Sequence, residues 1–393
     1  MHPRRDRLRT VLLTVSACVV SLALCEAILA VLPQARQVRP YRLRLHDPNL
    51  SEPYLQPGSD VPYTTRPGYV GRWWGGEGSI TIDARGFRTQ PGATPPSAIG
   101  VLCMGDSFTF GYLVDDAETY PAALGRLYQA RGGAVVNAGY VGGLSFDAAA
   151  VRYERGLAAL RPRTVVYGLF PLNDFGEMGV WVGRTRDGGP GRLRSVNQVL
   201  SSGAYALPLL RESRFFVGLA AAASAWRYRE EIRQTEAQRW ARAADAVRRF
   251  HDATSPAGTR LVFLILREGS ESLAPKVARD LHVSLREYQD STEALVRRFN
   301  SILDDEGVEH HDDAPLLAGL RASLARRALP RLPEGLDELR PRFEQMAERS
   351  GWNARVLAAG DEAHYSALTN LYVAAWVAGV LDQHRTCRDP RWR

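Results

Sequence analysis

At 393 residues the chain is longer than a typical domain and suits one large α/β domain with additions. Hydrophobic residues at 45% and charged residues at 24% are ordinary for a globular protein, which excludes a mostly disordered, collagenous or polytopic membrane chain. The net charge of +7 is almost all arginine, with Lys276 the single lysine, and it is scattered among Asp and Glu. No basic block with interleaved aromatics occurs, so no nucleic-acid partner is expected; the balance suits a solvated surface near anionic lipid. Cys18, Cys25, Cys103 and Cys387 have no CxxC spacing, which removes a disulfide framework and a zinc site.

Residues 1–9 carry Arg4, Arg5, Arg7 and Arg9 against Asp6 and read as a cytoplasmic N-terminus. Residues 10–32 form an apolar segment long enough to cross a bilayer as one helix, a retained signal anchor that places the rest of the chain outside the cytoplasm. Glu26 is its blemish, since a carboxylate in mid-membrane costs about 2.5–3.5 kcal/mol, less toward the outer end. A cleaved signal peptide fits less well, because the apolar core is long and Pro33-Gln34-Ala35 is a poor cleavage site. Leu24 before Cys25 breaks a lipoprotein signal, and a buried core helix leaves the arginines unexplained.

Residues 33–97, rich in Pro, Gly, Tyr and Trp, read as a stalk and irregular extension with one short strand at Ser79–Asp83. Four strands buried on both faces are expected at Ala98–Met104, Ala134–Asn137, Thr164–Phe170 and Arg260–Leu266. Helices are expected at Thr119–Ala130, at Asp147–Leu160 and over roughly 366–381. The alternation implies a parallel sheet covered on both faces within a domain over 98–385, followed by a tail at 386–393. Helical insertions are expected at about 175–258 and 314–355. In the first, Phe215–Ala225 is apolar but too short to span a membrane; it reads as a packed helix, with a helix lying in the membrane surface as the alternative. Gln238–Phe250 reads as an amphipathic helix whose arginines form a solvated face.

The chemistry concentrates where strands end. Gly105-Asp106-Ser107-Phe108-Thr109-Phe110-Gly111 follows the first buried strand directly, at the carboxyl edge where open α/β sheets bind ligands. Gly105 permits a sharp turn, and a serine opening a helix sits where its dipole favours a developing anion. A serine hydroxyl needs a base, and Asp361-Glu362-Ala363-His364 supplies a histidine with a carboxylate three residues before it. The loop from Asn137 to Gly143, with Gly139, Gly142 and Gly143, and Leu172-Asn173-Asp174 follow the second and third strands and suit oxyanion donors. His310-His311-Asp312-Asp313 has the composition of a metal cluster but reads as a strand end, and Trp73-Trp74 reads as packing, so neither a metal nor a cofactor is expected.

With these residues in place, the chain resembles the SGNH/GDSL hydrolases, in the form of membrane-anchored bacterial members. GDSFTFG matches the first block, Asn173 the third and Asp361 with His364 the last; Gly142 fits the second-block glycine, with Gly139 and Gly143 as alternatives. Pro171 stands where the third block usually has glycine. The likeness spans roughly 79–383 and includes DARGFR (83–88) and VDDAETYPAAL (114–124).

The resemblance implies a flavodoxin-like three-layer α/β/α sandwich with a parallel sheet, preceded by one transmembrane helix. It also implies a catalytic triad of Ser107, His364 and Asp361, and an oxyanion hole from Ser107, Gly142 and Asn173. The expected activity is that of a membrane-tethered extracytoplasmic esterase acting on an acyl ester, with acetylated glycan and lipid as candidate substrates. Acyl transfer to an envelope glycan, or a catalytically silent binding protein on the same fold, are the alternatives.

Overall fold

The computed structural model describes residues 3–31, 54–57, 63–73, 78–93, 96–129, 133–140, 145–177, 213–227, 235–267, 284–359 and 364–383. In chain order its strands are β1 (Leu55–Pro57), β2 (Tyr63–Thr65), β3 (Val70–Arg72), β4 (Ser79–Ile82), β5 (Arg88–Thr89), β6 (Val101–Gly105), β7 (Val135–Asn137), β8 (Thr164–Leu169), β9 (Arg260–Ile265) and β10 (Glu309–Asp312). Its α-helices are α1 (Pro3–Val31), α2 (Ser107–Phe110), α3 (Tyr120–Gln129), α4 (Phe146–Arg155), α5 (Pro171–Glu177), α6 (Arg214–Arg227), α7 (Glu236–Thr254), α8 (Leu285–Asp305), α9 (Ala314–Ala325), α10 (Arg340–Arg349) and α11 (Ala367–Gln383). The chain divides into two units: Met1–Glu52 with Val180–Gln234, and Pro53–Gly179 with Thr235–Arg393.

The larger unit is organised by one sheet in the order β10-β9-β8-β6-β7-β5-β4-β3. The four expected buried strands are present and parallel, with β6 internal between β7 and β8. Every residue of β6 and β8 is buried, as the unbroken apolar runs require. A fifth parallel strand, β10, pairs along β9 over Glu309–Asp312; its His-His-Asp sequence and half-buried residues give it no apolar periodicity to read. The sheet is mixed rather than wholly parallel. The short strand expected at Ser79–Asp83 is β4, and β3 and β5, from a segment otherwise expected to be irregular, join it in continuing the sheet antiparallel beyond β7.

Side chains alternate across the sheet with the two-residue period of a strand. On one face Val101, Cys103, Val166, Val262 and Leu264 meet Leu124 of α3, Leu320 of α9 and Leu371 and Val377 of α11 in one buried cluster. On the other, Tyr167 and Phe263 meet Phe146 of α4, Phe250 of α7 and Phe299 of α8 in an aromatic layer with ring centroids 5.2–6.3 Å apart. Helices on both faces make the three layers expected. Within the 175–258 segment, α7 covers this aromatic face with Ala243, Ala246, Val247 and Phe250 and exposes Arg242, Arg248 and Arg249, with Arg239 half-buried. Leu317, Leu320, Leu329, Leu336 and Phe343, from the 314–355 segment, supply the opposite core.

In the smaller unit α1 contains an apolar run from Arg9 to Leu29 long enough to cross a membrane. It contacts α6, which extends the expected Phe215–Ala225 helix by one residue at its start and two at its end.

Candidate active site

The turn after β6 is built for a close approach. Gly105 has φ 141°, a conformation that L side chains rarely adopt, and a Cβ there would overlap the Gly168 carbonyl oxygen of β8 and the Thr109 hydroxyl. Asp106 is buried and caps α2, its carboxylate accepting from the Phe108 N–H at 3.0 Å. The helix is a single turn, ended by Gly111 in the left-handed conformation at φ 85°. It is therefore far shorter than the helix from which the sequence reading expects a dipole; its role is to fix the direction of Ser107, which remains half-buried.

Ser107 and His364 meet although 257 residues separate them. Serine Oγ lies 2.6 Å from histidine Nε2, hydrogen-bond distance for a hydroxyl and an imidazole nitrogen. The imidazole lies against two rings, with centroids 4.9 Å from Phe108 and 4.8 Å from Tyr112, which restrict its rotation. Its chain segment is held on the C-terminal side as well. Ala359 N–H donates to the His364 carbonyl at 2.7 Å, and Ala358 and Tyr365 form an antiparallel bridge.

A hydrogen-bonded path joins the serine turn to the histidine segment. The Thr109 hydroxyl donates to the Met104 carbonyl at 3.1 Å and lies 3.1 Å from the Tyr120 hydroxyl. Tyr120 N–H donates to Asn370 Oδ1, and Asn370 Nδ2 donates to the Tyr365 carbonyl, each at 3.1 Å. The side chains of Thr109, Tyr120 and Asn370 are all buried. Sequence reasoning does not assign Tyr120 or Asn370 a role, although Tyr120 falls within the VDDAETYPAAL segment.

Arg88 is a third such residue. Fully buried, it pairs with Asp116 at 2.9 Å and donates to the carbonyls of Phe110 at 2.7 Å and Val114 at 2.6 Å, and also to that of Gly111. Burial holds its pKa below the ordinary value, with Asp116 opposing the shift. Through Arg88, the β5 edge clamps the far end of the serine turn. Its only sequence signal is its place in DARGFR.

Of the expected oxyanion residues, Ser107 and Asn173 lie among the described residues, after β6 and β8 respectively. Gly139 is a poor donor: its N–H is committed to Asn137 Oδ1 at 2.9 Å, and a Cβ there would overlap the Phe110 amide. Its glycine serves the packing of this loop on α2. Gly142 and Gly143 lie outside the described residues, as does Asp361 of the expected triad. Asn173 lies on α5, one residue before buried Asp174, whose carboxylate accepts from the Phe170 N–H at 2.9 Å and fixes the start of that helix. Pro171, the departure from the usual third block, is the first residue of α5, where a proline's missing N–H and fixed φ cost nothing.

His310, His311 and Trp73 make structural contacts. His311 lies on β10 with Nε2 3.0 Å from a Glu309 oxygen, and His310 Nδ1 is 3.2 Å from the Val308 carbonyl oxygen. Trp73 is buried, donates to the Val114 carbonyl at 2.9 Å and packs edge-on to Tyr54; Trp74 lies outside the described residues.

No family model and no curated protein matches the chain. Among solved structures, it is similar to a lipase/acylhydrolase from Enterococcus faecalis, at 13% identity and a TM-score of 0.35, covering 73% of this chain and 97% of that one. It is similar to a variant of Axe2, an acetyl xylan esterase from Geobacillus stearothermophilus, at 16% identity and a TM-score of 0.36, covering 72% and 95%. A third similar structure is TesA, at 14% identity and a TM-score of 0.33, covering 70% and 96%. At these values the likenesses leave the reading of the site to its own residues.

Proposed function

We propose that the chain is an SGNH/GDSL-type serine esterase, tethered to the membrane by α1 with its catalytic domain outside the cytoplasm. The observation that carries the reading is the 2.6 Å approach of Ser107 Oγ to His364 Nε2 at the carboxyl end of the central parallel strand. His364 accepts the hydroxyl proton as Oγ bonds to the ester carbonyl carbon. It then returns the proton to the departing alcohol as the ester C–O bond breaks. Water, deprotonated by the same imidazole, releases the acid and restores Ser107.

In this reading Asp361 orients the imidazole, and the Ser107 and Gly142 N–H groups with the Asn173 side chain receive the oxyanion. The arginines before the apolar run support a cytoplasmic N-terminus. The test is a panel of short-acyl, long-acyl and acetylated-polysaccharide esters offered to the purified chain and to Ser107→Ala. Hydrolysis that the substitution abolishes supports the assignment; hydrolysis that survives it excludes Ser107 as nucleophile.

A further inference from the structure

Helix α6 poses a physical problem that water does not solve. From Phe215 to Trp226 its sequence is FFVGLAAAASAW, with Ser224 the one polar side chain and no charge. Phe215, Leu219, Ala222, Ala223 and Trp226 follow one another at helical spacing on one face, and all are exposed, Leu219 at 57% and Trp226 at 73%. A helix apolar on every side belongs in a core or in lipid, and this one shows Phe215, Leu219 and Trp226 to the outside. At about 1.5 Å per residue, twelve residues reach about 18 Å, well short of a bilayer core of about 30 Å.

The beginning of α6 supplies the second observation. A helix that ends inside lipid must have its first N–H groups satisfied by protein, because no water is there to do so. Glu26 of α1 provides this. One carboxylate oxygen accepts from the Arg214 N–H at 3.0 Å and the other from the Phe215 N–H at 2.9 Å, and Ser213 Oγ donates to the latter. Ser213 Oγ in turn accepts from the Phe216 N–H at 3.2 Å.

The anchor matches. Among the described residues of its apolar run, Leu22, Cys25, Glu26 and Leu29 are half-buried and the rest are exposed. Those four lie at i, i+3, i+4 and i+7, one stripe of an otherwise lipid-facing helix. The carboxylate that is anomalous in a lone transmembrane helix thus becomes the cap of a second helix beside it.

We infer that α6 is a membrane-embedded companion of the anchor, entering the bilayer partway with its Phe215–Leu219–Trp226 face against lipid acyl chains. This rests on the reading of α1 as a membrane anchor. It gives the segment between β8 and β9 a lipid surface as its partner.

The test places a photoreactive benzophenone amino acid at Leu219, at Trp226 or at Leu13 in the full-length chain. Each protein is reconstituted in phosphatidylcholine–phosphatidylglycerol vesicles, irradiated and analysed by mass spectrometry. Phospholipid adducts are expected at all three positions, and Glu26→Ala should reduce those at Leu219 and Trp226 while leaving those at Leu13. Adducts at Leu13 alone, or crosslinks from Leu219 and Trp226 only to protein, overturn the inference and leave the anchor standing. Adducts nowhere overturn the anchor and the inference together. Unchanged adducts in Glu26→Ala remove the carboxylate as the element that seats α6.

Discussion

The Tyr365 hydroxyl donates to the buried carboxylate of Asp313, joining the residue that follows His364 to the end of β10. The Arg267 N–H donates to the same hydroxyl at 3.1 Å. Burial raises the Asp313 carboxyl to about 7 from an ordinary 3.8; Tyr365 and Arg267 pull it down, and Asp312 pushes it up. A carboxyl whose pKa is higher folded than unfolded binds more protons when folded, between the two values. Its contribution is fully present below about 3.8 and is lost as pH rises through about 7. The unfolding midpoint in denaturant should therefore fall from pH 4.5 to pH 7.5, and Asp313→Asn should flatten that fall. An equal slope in both proteins contradicts the account of this pair.

Gly105→Ala should be severe. Its Cβ has no room beside the Gly168 carbonyl and the Thr109 hydroxyl, and the backbone conformation is one that alanine avoids. A loss of about 1–3 kcal/mol in folding stability is expected, together with displacement of Ser107. Chemical denaturation and ester turnover of the same sample measure both. A variant with wild-type stability and turnover contradicts the close packing of β6 on β8.

Arg88→Ala leaves Asp116 charged and buried and frees the carbonyls of Phe110, Gly111 and Val114. Removal of one partner from a buried pair costs about 3–5 kcal/mol. Arg88→Lys keeps the charge but cannot reproduce five donors in a planar fork, so it should recover only part of that loss. The comparison of the two unfolding free energies is the measurement, and equal stability of Arg88→Lys and wild type contradicts the clamp.

A reporter fused after Arg393 should be active only outside the cytoplasm, and the protein should remain with membranes through a carbonate wash. The motive is the arginine-rich N-terminus before an apolar run from Arg9 to Leu29. Cytoplasmic reporter activity contradicts the proposed topology.

The central sheet was legible because its strands are unbroken apolar runs, and Ser107 because its block stands directly after one of them. His364 was legible through its spacing from Asp361, although the described residues bring only the histidine to the serine. The edges of the sheet were legible only at β4, whose alternation over Ser79–Ile82 marks a strand. Strands of two or three residues such as β3 and β5 carry no period, and β10 is half polar. Helix α8 does carry a local signal, the capping pair of Ser284 and Glu287 before an amphipathic run with Tyr288, Val296, Phe299 and Leu303 buried. Arg88 with Asp116 and Tyr365 with Asp313 join residues 28 and 52 apart. Such pairs have no local pattern, because tertiary packing alone decides which buried charge meets which donor.

The most direct test of the central claim is labelling with a fluorophosphonate, which phosphonylates an activated serine and marks it by mass. The intact chain and Ser107→Ala would be treated alike, digested and mapped. The account predicts one adduct, on the peptide containing Ser107, absent from Ser107→Ala and suppressed in His364→Ala, since nucleophile and base act as a unit. An adduct on another residue, or labelling undiminished in Ser107→Ala, would contradict it.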